Sequence, residues 1–311
     1  MGTYVLITPV RDEEDFVRFA LDSVVAQTRP PQRWVIVDDA SRDTTAAVLE
    51  QYAKRHDFIR IVRIADRGDR NFARKAEAFK RGLEELRECD YDFIGNLDGD
   101  ISFASDYYAR VLAEFDLDAR LGIAGGIVYT NVAGRFETTD KTVDSVAGAV
   151  QLFRRGCFEA VGGYPALTWG GIDAAAEITA RMCGWRVHKF PQLRVFEHRR
   201  TGSAQDRPLA ARVREGRKFH SLGYHPLFYL ARCVYRVIDR PLVIGSLAAM
   251  AGFFESVLMR RPIALDAGVV RYLRREQKAK LMRTLRRLGR ASTTVVAPPD
   301  ADTTRSVPPL T

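Results

Sequence analysis

Four short apolar runs, at residues 4–10, 34–37, 59–64 and 93–97, alternate with stretches of helical spacing at 14–27, 41–55 and 71–88. Such alternation predicts a parallel sheet with helices on both faces. The runs end in polar residues: Pro9 and the loop Arg11-Asp12-Glu13-Glu14, then Asp38-Asp39-Ala40-Ser41, then Asp98-Gly99-Asp100. Folds of this class bind ligands outside the carboxyl ends of their strands. Asp98 and Asp100 are the sharpest of these features. Two hard oxygen ligands at a strand tip suit Mg²⁺ or Mn²⁺, whose shell substrate phosphates complete. The same tripeptide also suits a solvated turn, with Gly99 letting the backbone bend, so its neighbours must decide.

Composition narrows the class. Hydrophobic residues make up 46% of the 311 and charged residues 28%, which excludes a chain disordered throughout. Cys89, Cys157, Cys183 and Cys233 form no Cys-x-x-Cys pair, which argues against a zinc site or a disulfide framework and suits a reducing cytosol. The opening seven residues lack the basic and apolar regions of a secretory leader. Of the net charge of +9, residues 266–290 carry nine Lys/Arg against two Asp/Glu, a local +7. That asymmetry points to a basic C-terminal segment facing something anionic. No aromatic stacking platform accompanies it, so nucleic acid is not the expected partner.

The motifs taken together resemble a family 2 glycosyltransferase. Pro9-Val10-Arg11-Asp12-Glu13 stands for the family's Pro-x-Tyr-Asn-Glu, and Val37-Asp38-Asp39-Ala40-Ser41 for Val-Asp-Asp-Gly-Ser. The stretch Arg74-Lys75-Ala76-Glu77-Ala78-Phe79-Lys80-Arg81-Gly82 matches the family's Gly-Lys-Ala segment with its leading glycine and its asparagine changed. The Asp98/Asp100 pair is intact, and the resemblance runs from about residue 3 to 202. It implies an α/β fold of GT-A type: a doubly wound mixed sheet with helices on both faces, here with a C-terminal helical, membrane-associating appendage. Expected domains are 1–225 (nucleotide-binding half to about 100, acceptor half thereafter), a basic membrane-interfacial helical segment at 226–290, and a disordered tail at 291–311.

The resemblance also implies roles. Pro9, Arg11, Glu13, Asp38, Asp39, Lys75 and Asp98 fall at the nucleotide, and Asp98, Asp100 and His198 at the metal. Physical chemistry offers each a second reading. Asp39 can accept the N3–H of uracil, but Asp39 or Ser41 also suits a helix N-cap. Lys75 suits diphosphate oxygens or plain solvent. His198 sits between a strand at 193–197 and the basic loop Arg199-Arg200-Thr201-Gly202, or serves the core.

For inverting transfer one carboxylate must act as base. Asp173 and Glu177 are available, four apart on one helix face. Asp173 follows Gly170-Gly171 at a loop tip and is favoured, though it also suits a helix dipole; Glu177 alternatively braces Arg181. The glycines of residues 122–129 leave room for a ligand, and a strand is expected at 145–153.

The expected activity is transfer of a sugar from a nucleoside-diphosphate sugar, UDP by default, to a saccharide or lipid-linked acceptor of envelope or exopolysaccharide synthesis. The expected place is the cytoplasmic, inner face of the cell membrane, peripheral to its anionic surface. A nucleotide-sugar nucleotidyltransferase is the rival enzyme, but its glycine-rich loop is missing from residues 8–14. A non-catalytic nucleotide-binding scaffold is the other rival. The apolar run 241–259 covers roughly 28 Å as a helix, and basic segments on both sides favour an interfacial or re-entrant pair of helices over a span; the alternative is a helical subdomain packed against the catalytic domain or a dimer partner.

Overall fold

The computed structural model describes residues 2–65, 72–138, 142–199, 208–235 and 243–291. The expected basic loop at 200–202 and the tail at 292–311 lie outside the described residues. Strand β1 (Tyr4–Val10) leads to α1 (Val17–Val25), β2 (Arg33–Asp39), α2 (Thr45–Ala53), β3 (Ile59–Ile64), α3 (Phe72–Glu84) and β4 (Phe93–Asn96). The alternation read from the sequence is present in this half. Pairs β1–β2, β2–β3 and β1–β4 are all parallel. The order β3-β2-β1-β4 therefore reverses its direction of growth between β1 and β4, which opens a crevice at their carboxyl ends.

Strands β1 and β2 are covered on both faces and buried at nearly every position, hence their unbroken apolar runs. One face, with Tyr4, Leu6, Trp34 and Ile36, packs on α1 and α2. The other, with Val5, Ile7, Val35 and Val37, packs on Ala78 and Phe79 of α3.

The second half adds β5 (Ile101–Phe103), α4 (Tyr107–Leu117), β6 (Leu121–Val132), β7 (Arg135–Glu137), β8 (Leu152–Arg154), α5 (Arg155–Val161), α6 (Ile172–Met182) and β9 (Arg186–Glu197). The strand expected at 145–153 is confined to β8, after a 3₁₀ turn at Gly148–Val150. In the sheet β4 is followed by β8, β6, β9 and β5, with β7 paired to β6. Residues 97–100 alone connect β4 to β5, yet three strands separate them in the sheet, so the sheet must curl. The curl brings β5 beneath α1, where Phe103 N–H donates to Ser23 Oγ (3.3 Å) and Gln27 Nε2 donates to Ala104 O (2.8 Å).

The glycines of β6 serve this curl. A Cβ at Gly125 would lie 2.7 Å from Val150 O, and one at Gly126 would run into Leu193 O beside a register shift. They admit the chain's own backbone, and the room expected for a ligand is filled.

Helices α7 (Pro208–Ser221), α8 (Pro226–Tyr235), α9 (Ile244–Leu258) and α10 (Ala267–Ala291) follow. Phe219 of α7, Tyr229 of α8 and Phe253 of α9 share one core with Leu167, and Tyr229 stacks on Phe253 at 4.3 Å. Val269 and Leu273 of α10 pack on Ile178 of α6. The helical layer thus begins at α7, ahead of the expected boundary at 225, and rests on the sheet domain through α6. The apolar run expected at 241–259 forms α9, with Ile244, Leu247, Phe254 and Leu258 exposed along its outward face. Among the described residues no helix is long and apolar enough to cross a membrane.

Where α7 and α9 meet, their backbones touch: a Cβ at Gly252 would run into Val213 O. Gly252→Ala should therefore cost about 1–3 kcal/mol by overpacking. Gly268→Ala, in open space on α10, should be neutral or stabilising by up to about 1 kcal/mol. Chemical denaturation of the two variants checks the pair, and equal midpoints would contradict the packing.

Candidate active site

The loops after β1 and β2 are laced together. Asp12 N–H donates to Ser41 Oγ (3.0 Å), Arg42 N–H to Asp12 Oδ1 (2.8 Å), Glu13 N–H to Thr45 Oγ1 (2.8 Å) and Thr44 N–H to Glu14 Oε2 (3.0 Å). Asp38 accepts the Ser41 N–H (3.0 Å) and so closes the turn after β2. Ala40, where the family pattern has glycine, has φ +57°. Asp39 is buried between two arginines: Arg74 Nη2 lies 2.8 Å from Oδ1 and Arg11 Nη1 3.7 Å from Oδ2. Pro9 is part of β1, opposite Val37.

The acidic tip is held from both sides. Leu97 N–H donates to Ile7 O (3.0 Å) and Asp98 N–H to Ala149 O (2.9 Å), which carries sheet-like bonding past the end of β4. Asn96 Nδ2 donates to Gly148 O on the same loop. A Cβ on Gly99 would lie 2.9 Å from Val10 Cγ1, and its φ is not positive. Glycine is needed there for room and not, as expected, for its backbone freedom.

Asp98 Oδ1 receives Lys75 Nζ at 2.5 Å. Burial works against the Lys75 charge, but Asp98, then Asp173 and Asp100, raise its pKa. Burial also pushes the Asp100 carboxyl well above the usual carboxylate range; Asp98 and Glu197 add to this, and Arg199 and Lys75 oppose it. Arg199 Nη2 donates to Glu13 Oε2 (2.6 Å) and Asp12 O (3.0 Å), strapping the end of β9 to the β1 loop.

His198 N–H donates to Asp100 O at 2.8 Å, so the two residues are adjacent. Its ring does not join the two aspartates. Nε2 is 2.8 Å from Ser102 Oγ, the ring stacks on Phe19 at 3.6 Å, and burial lowers its pKa. Among the described residues no three His, Cys, Asp or Glu side chains come together as a metal-ligand set.

On α6 the two candidate bases separate. Gly171 starts the helix at φ +87°, and Asp173 follows in the first turn, half-buried and packed so closely that a Cβ on Gly148 would lie 3.1 Å from its Oδ2. Its charge is felt at Lys75 and at the buried Tyr164 phenol, whose pKa burial raises, with Asp173 and Asp98 adding to it. Glu177 is internal, at 3% exposure. Its Oε1 accepts from Val146 N–H (2.6 Å) and Gln151 Nε2 (3.1 Å), and its Oε2 is 3.7 Å from Arg181. Gln151 Oε1 in turn accepts from Tyr164 (2.6 Å), and Arg181 Nε is 3.2 Å from Glu276 on α10. Burial pushes the Glu177 carboxyl up to about 7, against the Val146 N–H and Arg181.

The structure therefore gathers Glu13, Lys75, Asp98, Asp100 and Asp173 around one crevice, with Arg11 and Asp39 on its β2 side. Asp38 and Glu177 hold loops. Arg74, Gln151, Tyr164, Glu197 and Arg199 join these residues without having been expected at the site; Arg74 stands inside the Arg74–Gly82 motif and Arg199 inside the basic loop, whereas nothing local marks Gln151.

The description "Glycosyl transferase family 2" matches residues 5–164. A poly-β-1,6-N-acetyl-D-glucosamine synthase of Staphylococcus epidermidis is 23% identical over 198 residues, covering 58% of this chain and 44% of that protein. The chain thus spans less than half the length of that relative. Among solved structures, a mannosyltransferase from Pyrobaculum calidifontis in complex with GDP-Man and Mn²⁺ superposes with TM-score 0.54 at 18% identity, covering 94% of this chain and 83% of that one. S. aureus TarS 1–349 in complex with UDP-GlcNAc gives TM-score 0.52 at 14% identity, covering 81% and 71%. At these identities the likeness is one of fold: the curled mixed sheet is of GT-A type.

The internal Glu177 makes stability depend on pH. Its pKa is raised from 4.5 in the unfolded chain to about 7. The unfolded state then releases this proton first as pH rises, and folding stability falls between those values, by at most about 3 kcal/mol. Glu177→Gln keeps an acceptor for Val146 and cannot ionise. It should gain on the parent protein between pH 5 and pH 8 in denaturation midpoints, and a difference independent of pH would refute the assignment.

Proposed function

Because the chain belongs to glycosyl transferase family 2, we propose that it moves a sugar from a nucleoside-diphosphate sugar, with UDP the default nucleotide, to a saccharide hydroxyl with inversion. The observation that carries this reading is the convergence of Lys75, Asp98, Asp100 and Asp173 within electrostatic reach at the tip of β4. At the β2 side, Asp39 is the carboxylate that accepts the base N3–H; Arg11 and Arg74 hold it in place. Glu13, fastened by Arg199, lines the path of the ribose. Lys75 is placed to donate to the diphosphate.

The donor set fits a divalent cation. Asp98 and Asp100 are hard oxygen ligands on one tip, and burial, with Asp98 and Glu197 adding to it, raises the Asp100 pKa, a cost that a bound cation would relieve. Asp98 and Asp100 would hold Mg²⁺ or Mn²⁺, with His198 supporting Asp100 through its backbone. When bound, the cation supplies positive charge against the leaving diphosphate. Asp173 is the base. It takes the acceptor proton as the hydroxyl oxygen bonds to the anomeric carbon and the bond to diphosphate breaks, the electron pair leaving with the diphosphate. Glu177 is a positioning residue: it holds the loop at 146–151 that bonds Asn96 and Asp98.

The acceptor is read as a lipid-linked saccharide of polysaccharide synthesis at the inner membrane face. The name of the staphylococcal relative supports the polysaccharide. The outward apolar face of α9, with the nine basic residues of 266–290 nearby in sequence, supports an anionic membrane surface.

Release of nucleoside diphosphate from UDP- and GDP-sugars with Mn²⁺ tests the reading. Asp173→Asn should lower kcat by about 100-fold or more with donor KM little changed, whereas Asp100→Ala should weaken both. Full turnover by Asp173→Asn would remove it as the base.

A further inference from the structure

A strip of aromatic side chains leads away from the crevice along the part of β9 that carries Phe196 and Arg194. It begins at His198, bonded through its backbone to Asp100. Phe19 stacks on the His198 ring at 3.6 Å, and Phe136 of β7 meets it edge-on at 5.4 Å. Phe136 also packs on Phe196 at 5.1 Å. Phe19 and Phe136 are 41% and 39% exposed. Phe196 then forms one wall of an open cleft of about 230 Å³, whose polar lining is Asp106, Arg110, Gln192 and Arg194. From His198 to Gln192 the strand covers about 20 Å at 3.3 Å per residue, longer than one sugar.

This mixture has a chemical meaning. Pyranose rings present an apolar C–H face that lies flat on an aromatic ring, and a rim of hydroxyls that planar amides and guanidiniums bind in pairs. Ligand sites of this sort combine aromatic walls with a few placed polar groups. A lipid chain would be poorly matched to the cleft, where two arginines face one aspartate and Asp106 lies 3.7 Å from Arg110.

We propose that this strip binds the saccharide chain of the acceptor, with sugar rings on Phe136 and Phe19 and the trailing part in the cleft between Arg110 and Arg194. The proposal rests on the glycosyl-transfer reading of the crevice and extends it. It gives the enzyme a preference for acceptors several sugars long, because the strip from His198 to Gln192 is longer than one sugar.

The test is binding of the full chain to immobilised oligosaccharides of one to six units: β-1,4- and β-1,6-linked N-acetylglucosamine and glucose, α-linked mannose, and uronate-bearing chains. Affinity should rise with chain length. Phe136→Ala and Arg194→Ala should each weaken it at least 10-fold, and Phe136→Tyr, which keeps the ring, should restore it. Unchanged binding in both variants, or no binding by the parent protein, overturns the proposal. So does a dimer in sedimentation that Phe136→Ala dissolves, which would assign the strip to a second copy. Donor turnover is not read in this assay, so failure of the glycosyl-transfer reading shows separately.

Discussion

Two backbone hydrogen bonds past the end of β4 hold the chemistry in place. Leu97 bonded to Ile7 and Asp98 bonded to Ala149 keep the chain extended for one residue pair beyond the strand. The two carboxylates are thereby fixed against the sheet and do not wander on a loop. Gly99 passes so close to Val10 that any side chain would push the tip outward. A loop built from Asn96, Gly148, Ala149 and Gln151 then closes around it. The tip is thus held by the same kind of backbone bonding as the sheet it extends, which suits groups that must meet a substrate with little reorganisation.

Charge is the second constraint. Asp98, Asp100, Asp173, Glu13 and Glu197 lie near one another, against Lys75 and Arg199. Such an excess of like charge is costly in a crevice that burial has partly dried: the carboxylates raise the Lys75 pKa, and burial first, then Asp98 and Glu197, raise that of Asp100. A protein bearing this cost for stability alone would have little reason to keep it. A cationic or proton-carrying ligand relieves it, and under the proposed function the bound cation and the acceptor proton are those ligands.

The C-terminal helices are connected to the same centre. Glu276 of α10 holds Arg181, Arg181 faces Glu177, and Glu177 holds the Val146–Gln151 loop beneath Asp98. Lys280 adds a 2.9 Å contact from α10 to Asp144 at the start of that loop. The basic helix, expected at a membrane surface or packed on the catalytic domain, is therefore a brace.

Apolar runs of period suited to buried strands, separated by helical spacing, were enough to determine the parallel half of the sheet. Burial of a strand on both faces leaves it no polar positions, and that is visible residue by residue. The acidic tip was legible for the same reason, because a short apolar run ending in Asp98-Gly99-Asp100 has few places to go. The paths of Glu177 and Gln151 were not legible. The Gly170-Gly171 tip marks Asp173 in the sequence, but nothing there marks Glu177, on the same helix face, as internal. That distinction arises from α10 packing on α6 and from the curl that lays the 146–151 loop over the helix. The glycines of β6 and the aromatic strip of β9 likewise acquire meaning only when distant strands are brought into register, since close approach is a property of pairs of segments and not of either one.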